Sequence, residues 1–264
     1  MHAKNIIEWF EMPTQKIDSL IEKGSEQVDI IGRVKTGVSG LDGLLQGGFR
    51  KGSIITVTGD SGCGKTTFGI QFLYMGAAQY GEPGLYVTFE EEKNAVFDYM
   101  KGYGWDLKKL EEDGKLIFLE YPPQEVERFT TEEAFIRDEM EEKGVKRMVV
   151  DSMTSLALLY DTERRRRQEL LRIIGKLRKW GCTTLLLSES APEASTPDGL
   201  RTRFGIEALV DGLIYLYNIR KGNTRIRALE VIKLRGTAFD QKICPMRFRP
   251  NGIVVYPSEQ VYEG

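Results

Sequence analysis

The sequence predicts an α/β protein in which a mostly parallel β-sheet is flanked by helices and continues into antiparallel strands near the C-terminus. Two observations support this prediction. From Ser53 onward, short apolar runs alternate with segments of helical periodicity, which is typical of a parallel sheet covered on both faces. Toward the C-terminus the helical segments stop, and strand-like runs follow one another with a turn sequence between two of them.

Six apolar runs predict the parallel strands. They are Ile54–Thr58, Leu85–Phe89, Leu116–Leu119, Arg147–Val150, Thr184–Ser188 and Leu213–Tyr217. Helices are predicted between them at Lys65–Gln79, Asn94–Gly102, Glu132–Lys143 and Arg165–Trp180. The last helix is the clearest, because its apolar residues recur on one face and arginines and lysines lie opposite.

The two ends of the chain depart from this alternation. Antiparallel strands are predicted at Arg227–Arg235, Met246–Phe248 and Ile253–Tyr256, with a hairpin turn at Pro250-Asn251-Gly252. Residues 1–32 are predicted to form a helical extension, because their apolar residues fall at roughly helical spacing. Residues 33–264 then form the main domain.

Composition narrows the functional classes. The chain of 264 residues is long enough to bury a substantial core. Its three widely spaced cysteines give neither a disulfide framework nor a zinc pattern, which indicates a cytoplasmic protein. The single histidine, His2, makes histidine-based catalysis and histidine-ligated metals untenable. The net charge of −2 gives no global basic field for nucleic acid, and no apolar run predicts a membrane span or a signal peptide.

The strongest functional signal is a phosphate-binding loop, G-x-x-x-x-G-K-T, between a predicted strand and a predicted helix. Its residues are Gly59, Asp60, Ser61, Gly62, Cys63, Gly64, Lys65 and Thr66, followed by Thr67. The glycines allow backbone N–H groups to surround phosphates at the positive end of the helix. We expect Lys65 to reach the β- and γ-phosphates of ATP and the Thr66 hydroxyl to ligate Mg²⁺. The alternative is a glycine-rich turn that binds nothing.

Acidic residues follow two other predicted strands. Asp151 ends a short apolar strand and fits the role of holding Mg²⁺ through water, with a helix or turn cap as the alternative. Glu90, Glu91 and Glu92 follow another strand, at the edge of the sheet where ligands bind. A carboxylate there can align water and accept its proton, so Glu90 or Glu91 is the expected catalytic base. Alternatively, all three acids could stabilise the N-terminus of the next helix by their negative charge, which is the role expected of Glu92.

Three stretches of the chain resemble a known superfamily. Thr36–Phe49, which leads to the phosphate loop, is similar to the RecA/RadA superfamily, and Tyr86–Glu91 and Lys233–Thr237 resemble its KaiC-like branch. The resemblance runs from about Thr36 to Tyr256 and is to one KaiC ATPase domain. It implies a RecA-like P-loop ATPase that assembles into a homo-oligomeric ring, usually a hexamer, with ATP between subunits and ADP as product.

The resemblance also assigns residues. It matches Glu90 and Glu91 to the family's catalytic glutamates, and Lys233 and Arg235 to cations that reach, in trans, the γ-phosphate held by a neighbouring subunit. Residues i and i+2 of a strand share a face, so both cations can project together. Two ordinary surface cations on an edge strand are the alternative.

One feature departs from the family's clock protein. The positions of the adjacent serine and threonine that it phosphorylates are occupied here by Glu207 and Ala208. Neither side chain has a hydroxyl, so clock-type autophosphorylation is not expected.

Two segments are predicted to be loops facing the pore of a ring, Ser152–Glu163 and Ser190–Thr202. Arg164–Arg167 follows the first and could contact DNA phosphates. A solvated helix face or ion pairs between subunits is favoured instead, because Glu163 and Glu169 flank the run.

These observations predict a slow Mg-ATP hydrolase that acts as a regulatory or signalling switch on an unidentified protein client. The alternative from another class is a DNA-binding ATPase related to RadA, acting in recombination or repair. A third is a scaffold in which ATP is structural.

Overall fold

The computed structural model describes residues 32–122, 125–191 and 202–261. The predicted helical extension at residues 1–32 lies almost wholly outside them. The nine strands of the main sheet are β3 (Ile54–Gly59), β4 (Gly84–Thr88), β5 (Leu116–Glu120), β6 (Arg147–Asp151), β7 (Thr183–Glu189), β8 (Gly212–Lys221), β9 (Thr224–Leu234), β10 (Ile243–Arg249) and β11 (Gly252–Val255). The short strands β1 (Arg33–Val34) and β2 (Phe49–Arg50) form a separate small sheet.

The helices described in these ranges lie between the strands. They are α1 (Leu41–Leu44), α2 (Lys65–Gln79), α3 (Lys93–Lys101), α4 (Leu107–Glu112), α5 (Val126–Thr131), α6 (Glu133–Glu142), α7 (Met153–Leu158), α8 (Glu163–Trp180) and a 3₁₀ turn at Ile206–Ala208. None of them has the length and apolar character that crossing a membrane requires.

The sheet confirms the predicted α/β class. Its strand order is β11-β10-β9-β8-β3-β7-β6-β4-β5. The six strands from β8 to β5 run parallel, and β9, β10 and β11 extend the sheet in antiparallel fashion. Because β3, β4, β6 and β7 are parallel, the residues that follow each of them meet at one edge of the sheet.

Core packing explains why β3 lies at the centre. All six of its residues are buried, as expected for a parallel strand covered on both faces. Ile55 and Val57 face the cluster that contains the aromatic residues of α2, whereas Ile54 faces the cluster that contains the apolar stripe of α8. The predicted amphipathic helix is therefore confirmed, beginning at Glu163 rather than Arg165.

An arginine is buried where α2 packs against β6. The Arg147 side chain is 0% exposed, and its Nη1 donates to the Phe72 carbonyl oxygen at 2.8 Å while Nε donates to Glu82 Oε2 at 2.6 Å. The guanidinium lies 4.6 Å from the Phe72 ring centroid. Burial lowers the pKa of Arg147, and Glu82 partly offsets that effect. Gly76 provides the space, because a Cβ there would lie 2.4 Å from Arg147 Cδ.

One predicted loop is wrong. Ser152–Glu163 was expected to be a pore loop, but Met153–Leu158 forms α7. The Ser152 side chain caps this helix by accepting from the backbone N–H of Ser155. A helix of six residues is too short to show a hydrophobic period, which is why the pattern missed it. The second predicted loop, Ser190–Thr202, lies almost entirely outside the described residues.

Candidate active site

The phosphate-binding loop joins β3 to α2, as predicted. Gly64 precedes α2 at φ 108°, and a Cβ at this position would lie 2.6 Å from Cζ of Phe248. Gly59 ends β3, and a Cβ there would lie 2.2 Å from the carbonyl oxygen of Leu216. Both positions therefore require glycine. No side chain caps the start of α2, so its first backbone N–H groups can serve an anionic ligand.

Lys65 lies inside the loop that precedes it. Its Nζ donates to the carbonyl oxygens of Gly59 at 2.9 Å and of Asp60 at 3.0 Å. The ammonium group is thus held among backbone groups that can face phosphates. The side chain of Cys63 points away from solvent and is fully buried, and burial raises the pKa of its thiol although Lys65 is close.

Asp151 lies beside the loop at the end of β6. Its Oδ2 accepts hydrogen bonds from Thr66 Oγ1 at 2.8 Å and from the hydroxyl of Tyr86 at 2.7 Å. Burial raises the pKa of Asp151, and the two hydrogen bonds partly offset that effect. The structure thus brings together the two predicted metal-binding residues and adds Tyr86, a fully buried residue of β4. The sequence placed Tyr86 in an apolar strand and in a stretch that carries the family resemblance, but gave it no role at the site.

The adjacent acids Glu90 and Glu91 follow β4 at the same edge of the sheet. Thr88 Oγ1 fixes this turn by accepting from the backbone N–H groups of Glu90 at 3.3 Å and Glu91 at 3.1 Å. Glu91 is half-buried, and its pKa is raised by burial and by the charges of Asp151 and Glu90. Glu92 occupies the position before α3, as predicted.

The side chain of Glu90 is anchored to the segment that follows β6. Its Oε1 accepts from Ser152 Oγ at 2.7 Å and from Ser155 Oγ. Neither serine could be predicted as a site residue, because no motif or hydrophobic pattern in the sequence indicates that the start of α7 lies beside the end of β4.

These groups share one cavity of about 370 Å³. Its walls include Lys65, Thr66, Glu90, Glu91 and Asp151, and the loop residues Ser61, Gly62, Gly64 and Thr67 also line it. A basic loop, a potential metal-binding pair and two carboxylates therefore meet in one place. This arrangement can hold a polyphosphate and activate a water molecule beside it.

The antiparallel part of the sheet contributes two further wall residues that sequence reasoning missed. Arg227 of β9 donates from Nη2 to the carbonyl oxygen of Gly62 at 3.4 Å. Its guanidinium lies 4.9 Å from the ring centroid of Phe248 on β10. Both residues lay in predicted strands, but no motif indicated that these strands reach the phosphate loop.

Lys233 and Arg235 do not lie in this cavity. Lys233 pairs with Leu213 near the start of β8, and its Nζ donates to the carbonyl oxygens of Glu207 at 2.7 Å and Val210 at 2.8 Å. Arg235 follows β9 and donates to the carbonyl oxygen of Ala208 at 3.2 Å. The phosphate loop lies toward the opposite end of the parallel strands, about 10 Å from Lys233 and about 16 Å from Arg235 along the strand direction at roughly 3.3 Å per residue.

The arginine run is partly structural. Arg166 donates to the carbonyl oxygens of Ala157 at 3.0 Å and Tyr160 at 2.9 Å, so it joins α7 to α8. Arg164, Arg165 and Arg167 are exposed, and no carboxylate of the described segments lies within 4.0 Å of them.

Comparisons with known proteins found related sequences and a similar fold. The family described as "ATPase: KaiC" matches residues 34–260. The circadian clock oscillator protein KaiC of Synechococcus elongatus is 36% identical over 235 residues, which cover 86% of this chain and 44% of that protein. KaiC of Thermosynechococcus vestitus is 32% identical over 261 residues, covering 96% of this chain and 48% of that protein. The chain thus spans about half the length of the curated relatives it matches.

A solved structure is also similar over its whole length. The crystal structure of a KaiC-like protein from the hyperthermophilic archaeon Pyrococcus horikoshii OT3 matches with a TM-score of 0.76 and 38% sequence identity. The match covers 86% of this chain and 100% of that one. Its fold confirms the predicted RecA-like α/β class.

Proposed function

The chain belongs to the KaiC family of ATPases, and on that premise we propose that it binds Mg-ATP and hydrolyses it slowly to ADP, as a nucleotide-driven regulatory switch. The observation that carries the proposal is the single cavity shared by Lys65, Asp151, Glu90 and Glu91. Each of these groups has one of the properties that phosphoryl transfer to water requires, namely phosphate binding, metal positioning or proton acceptance.

The donor atoms fit Mg²⁺. The Thr66 hydroxyl and the Asp151 carboxylate are hard oxygen ligands, and the described residues contain no cluster of three or more His, Cys, Asp or Glu that would bind a metal alone. Mg²⁺ is typically held by one or two protein groups together with substrate phosphates and water. When bound, it would neutralise phosphate charge. The Thr66 hydroxyl donates a hydrogen bond to Asp151, which leaves the lone pairs of the hydroxyl oxygen for the metal.

The protein's own residues have separate tasks in this proposal. Lys65 and the N–H groups of the loop bind the phosphates. Arg227 and Phe248 border the loop on the antiparallel side, where the nucleoside would extend. A carboxylate of the Glu90–Glu91 pair accepts the proton of the attacking water. Replacement of Lys65 by Ala should abolish nucleotide binding, whereas replacement of both glutamates by Gln should preserve binding and stop turnover.

We further propose that the site is completed by a second copy of the chain. Lys233 and Arg235 lie at the end of the sheet opposite their own phosphate loop, so any nucleotide site that they contact belongs to a neighbour. Repetition of that contact would give a ring, with a hexamer as the expected size. Mixing a Lys65→Ala variant with an Arg235→Ala variant tests this, because some mixed interfaces recover an intact site. Activity above that of either variant alone is expected, and the absence of any recovery would argue against completion in trans.

The test of the overall function is steady-state ATP hydrolysis by the purified protein at low salt, with and without single-stranded DNA. Slow turnover that ignores DNA is expected for a switch that acts on a protein client in the cytoplasm. The buried, unpaired state of Cys63, Cys182 and Cys244 supports a reducing compartment. Failure to bind ATP would refute the proposal.

The rival function is a DNA-dependent ATPase. The observation in its favour is that Arg164, Arg165 and Arg167 are exposed next to α7, without carboxylate partners in the described ranges. Strong stimulation of hydrolysis by DNA, lost when Arg164 and Arg167 are replaced by Gln, would establish the rival.

A further inference from the structure

The two adjacent glutamates of the site are held in different ways. Glu90 Oε1 accepts from both Ser152 and Ser155, whereas no described residue donates to its Oε2. The carboxylate of Glu91 accepts no hydrogen bond from the described part of the chain and is half-buried. One carboxylate is therefore fixed in orientation and the other is free to accept a proton.

The two serines that anchor Glu90 are also bonded to each other. Ser152 directly follows Asp151, and Ser155 occupies the first turn of α7. The two hydroxyl oxygens are 3.3 Å apart, and Ser152 Oγ also accepts from the backbone N–H of Ser155. The three oxygen atoms form a closed cluster, so the orientation of Glu90 depends on the position of α7.

We propose that Ser155, together with Ser152, is a positioning residue that orients Glu90 so that its Oε2 aligns the attacking water while Glu91 takes the proton. This inference rests on the proposed ATP hydrolysis and assigns separate roles within it. In the step, the water oxygen forms a bond to the γ-phosphorus, the bond from that phosphorus to the β,γ-bridging oxygen breaks, and ADP leaves with the electron pair. One proton of the water passes to Glu91.

This division of roles agrees with the surroundings of the two acids. A proton acceptor is most effective when its pKa is closer to the working pH, and burial together with Asp151 and Glu90 raises the pKa of Glu91. The anchored Glu90 supplies one of those charges at a fixed position. In the described part of the chain, the Ser155 side chain makes no hydrogen bond to the phosphate loop or to the predicted metal ligands, and its hydroxyl partners are Glu90 and Ser152.

The test is a double-mutant cycle between Ser155 and Glu90. Ser155→Ala should lower kcat about 10-fold with little change in KM. The reason is that a misaligned Glu90 carboxylate orients the attacking water poorly, and part of the rate gained by acid–base catalysis is lost. Ser155→Thr retains the hydroxyl and should restore most of the rate. In a Glu90→Ala background, Ser155→Ala should cause no further loss, since the group it positions is already absent.

Leu158→Ala is the matched control on the same helix. Leu158 is 58% exposed and is not part of the cavity wall, so this variant should keep the wild-type kcat. Thermal unfolding and binding of a fluorescent ATP analogue show whether each variant folds and binds nucleotide. Three results would overturn the assignment. Ser155→Ala could leave kcat at the wild-type value, it could change KM alone, or it could lower kcat as much in the Glu90→Ala background as in the wild type. If the wild-type protein binds ATP but does not hydrolyse it, the proposed hydrolysis is overturned as well. If the wild-type protein hydrolyses ATP and Ser155→Ala has the same kcat, only this inference is overturned.

Discussion

Gly76→Ala tests the packing of the phosphate-loop helix on the strand that carries Asp151. In an ordinary helix interior this change is favourable, because glycine is about 0.5–1 kcal/mol worse than alanine. Here the added Cβ would lie 2.4 Å from Cδ, 2.5 Å from Nε and 2.8 Å from Cζ of Arg147. These atoms are in the middle of a side chain that is 0% exposed, so the arginine cannot move aside without leaving its site.

The expected cost follows from the contacts that Arg147 would lose. Displacing it breaks the hydrogen bond to the Phe72 carbonyl and the ion pair with Glu82. Breaking a buried ion pair typically costs about 3–5 kcal/mol. Because the Glu82 side chain is 30% exposed, we use a lower value, about 2–4 kcal/mol. After subtraction of the gain in helix propensity, the variant should be less stable by about 1–3 kcal/mol.

Chemical denaturation of the wild type and the variant measures this difference. Each kcal/mol should also lower Tm by about 2–4 °C in a domain of this size. Gly175→Ala on α8 is the control, because that glycine is exposed and a Cβ there meets nothing within 4 Å. It should stabilise the protein by about 0.5–1 kcal/mol. A Gly76→Ala variant as stable as the wild type would refute the reasoning.

Three other predictions concern the site and its support. Tyr86→Phe should fold normally but require about 10-fold more Mg²⁺ for half-maximal ATP hydrolysis, because Asp151 loses one of the two hydrogen-bond donors that orient it. An unchanged Mg²⁺ requirement would contradict the role of Tyr86 in orienting Asp151. Burial alone would raise the pKa of Asp211, but hydrogen bonds and charge from Arg178 lower it overall. Asp211→Asn should therefore destabilise the protein at neutral pH. Urea unfolding should show this deficit shrinking as the pH falls through about 4, the pKa of unfolded Asp, and vanishing only below the lowered pKa of folded Asp211. The buried Cys63 thiol, whose pKa is raised, should react with iodoacetamide far more slowly in native than in unfolded protein, and rapid native labelling would indicate that the loop is open.

Local patterns were enough to predict the scaffold of the site. The helix Lys65–Gln79 has the predicted bounds, and the parallel strands differ from prediction by one or two residues except β8, which continues to Lys221. Lys65, Thr66 and Asp151 could be predicted because each follows directly from a sequence motif or the end of an apolar strand. In these cases the information lies within a few consecutive residues.

The contacts that complete the site could not be predicted in the same way. Tyr86 bonds to Asp151 across 65 residues of sequence, and Ser155 bonds to Glu90 across the same separation. Such contacts depend on the register of β4 beside β6, which no local pattern encodes. Arg227 likewise reaches the phosphate loop only because β9 pairs with β8, which lies beside β3.

The placement of Lys233 and Arg235 bears on the symmetry of the proposed assembly. Phosphate loop and cations lie at opposite ends of one sheet, so a contact between them joins unlike patches of two copies and can repeat head to tail. Repeated head to tail, such a contact is heterologous and leaves one unused patch at each end of a pair. Such contacts either propagate into an open filament or close through rotation into a cyclic ring. In the proposed head-to-tail assembly, a pair of copies therefore keeps one incomplete site, and closure into a ring completes every site.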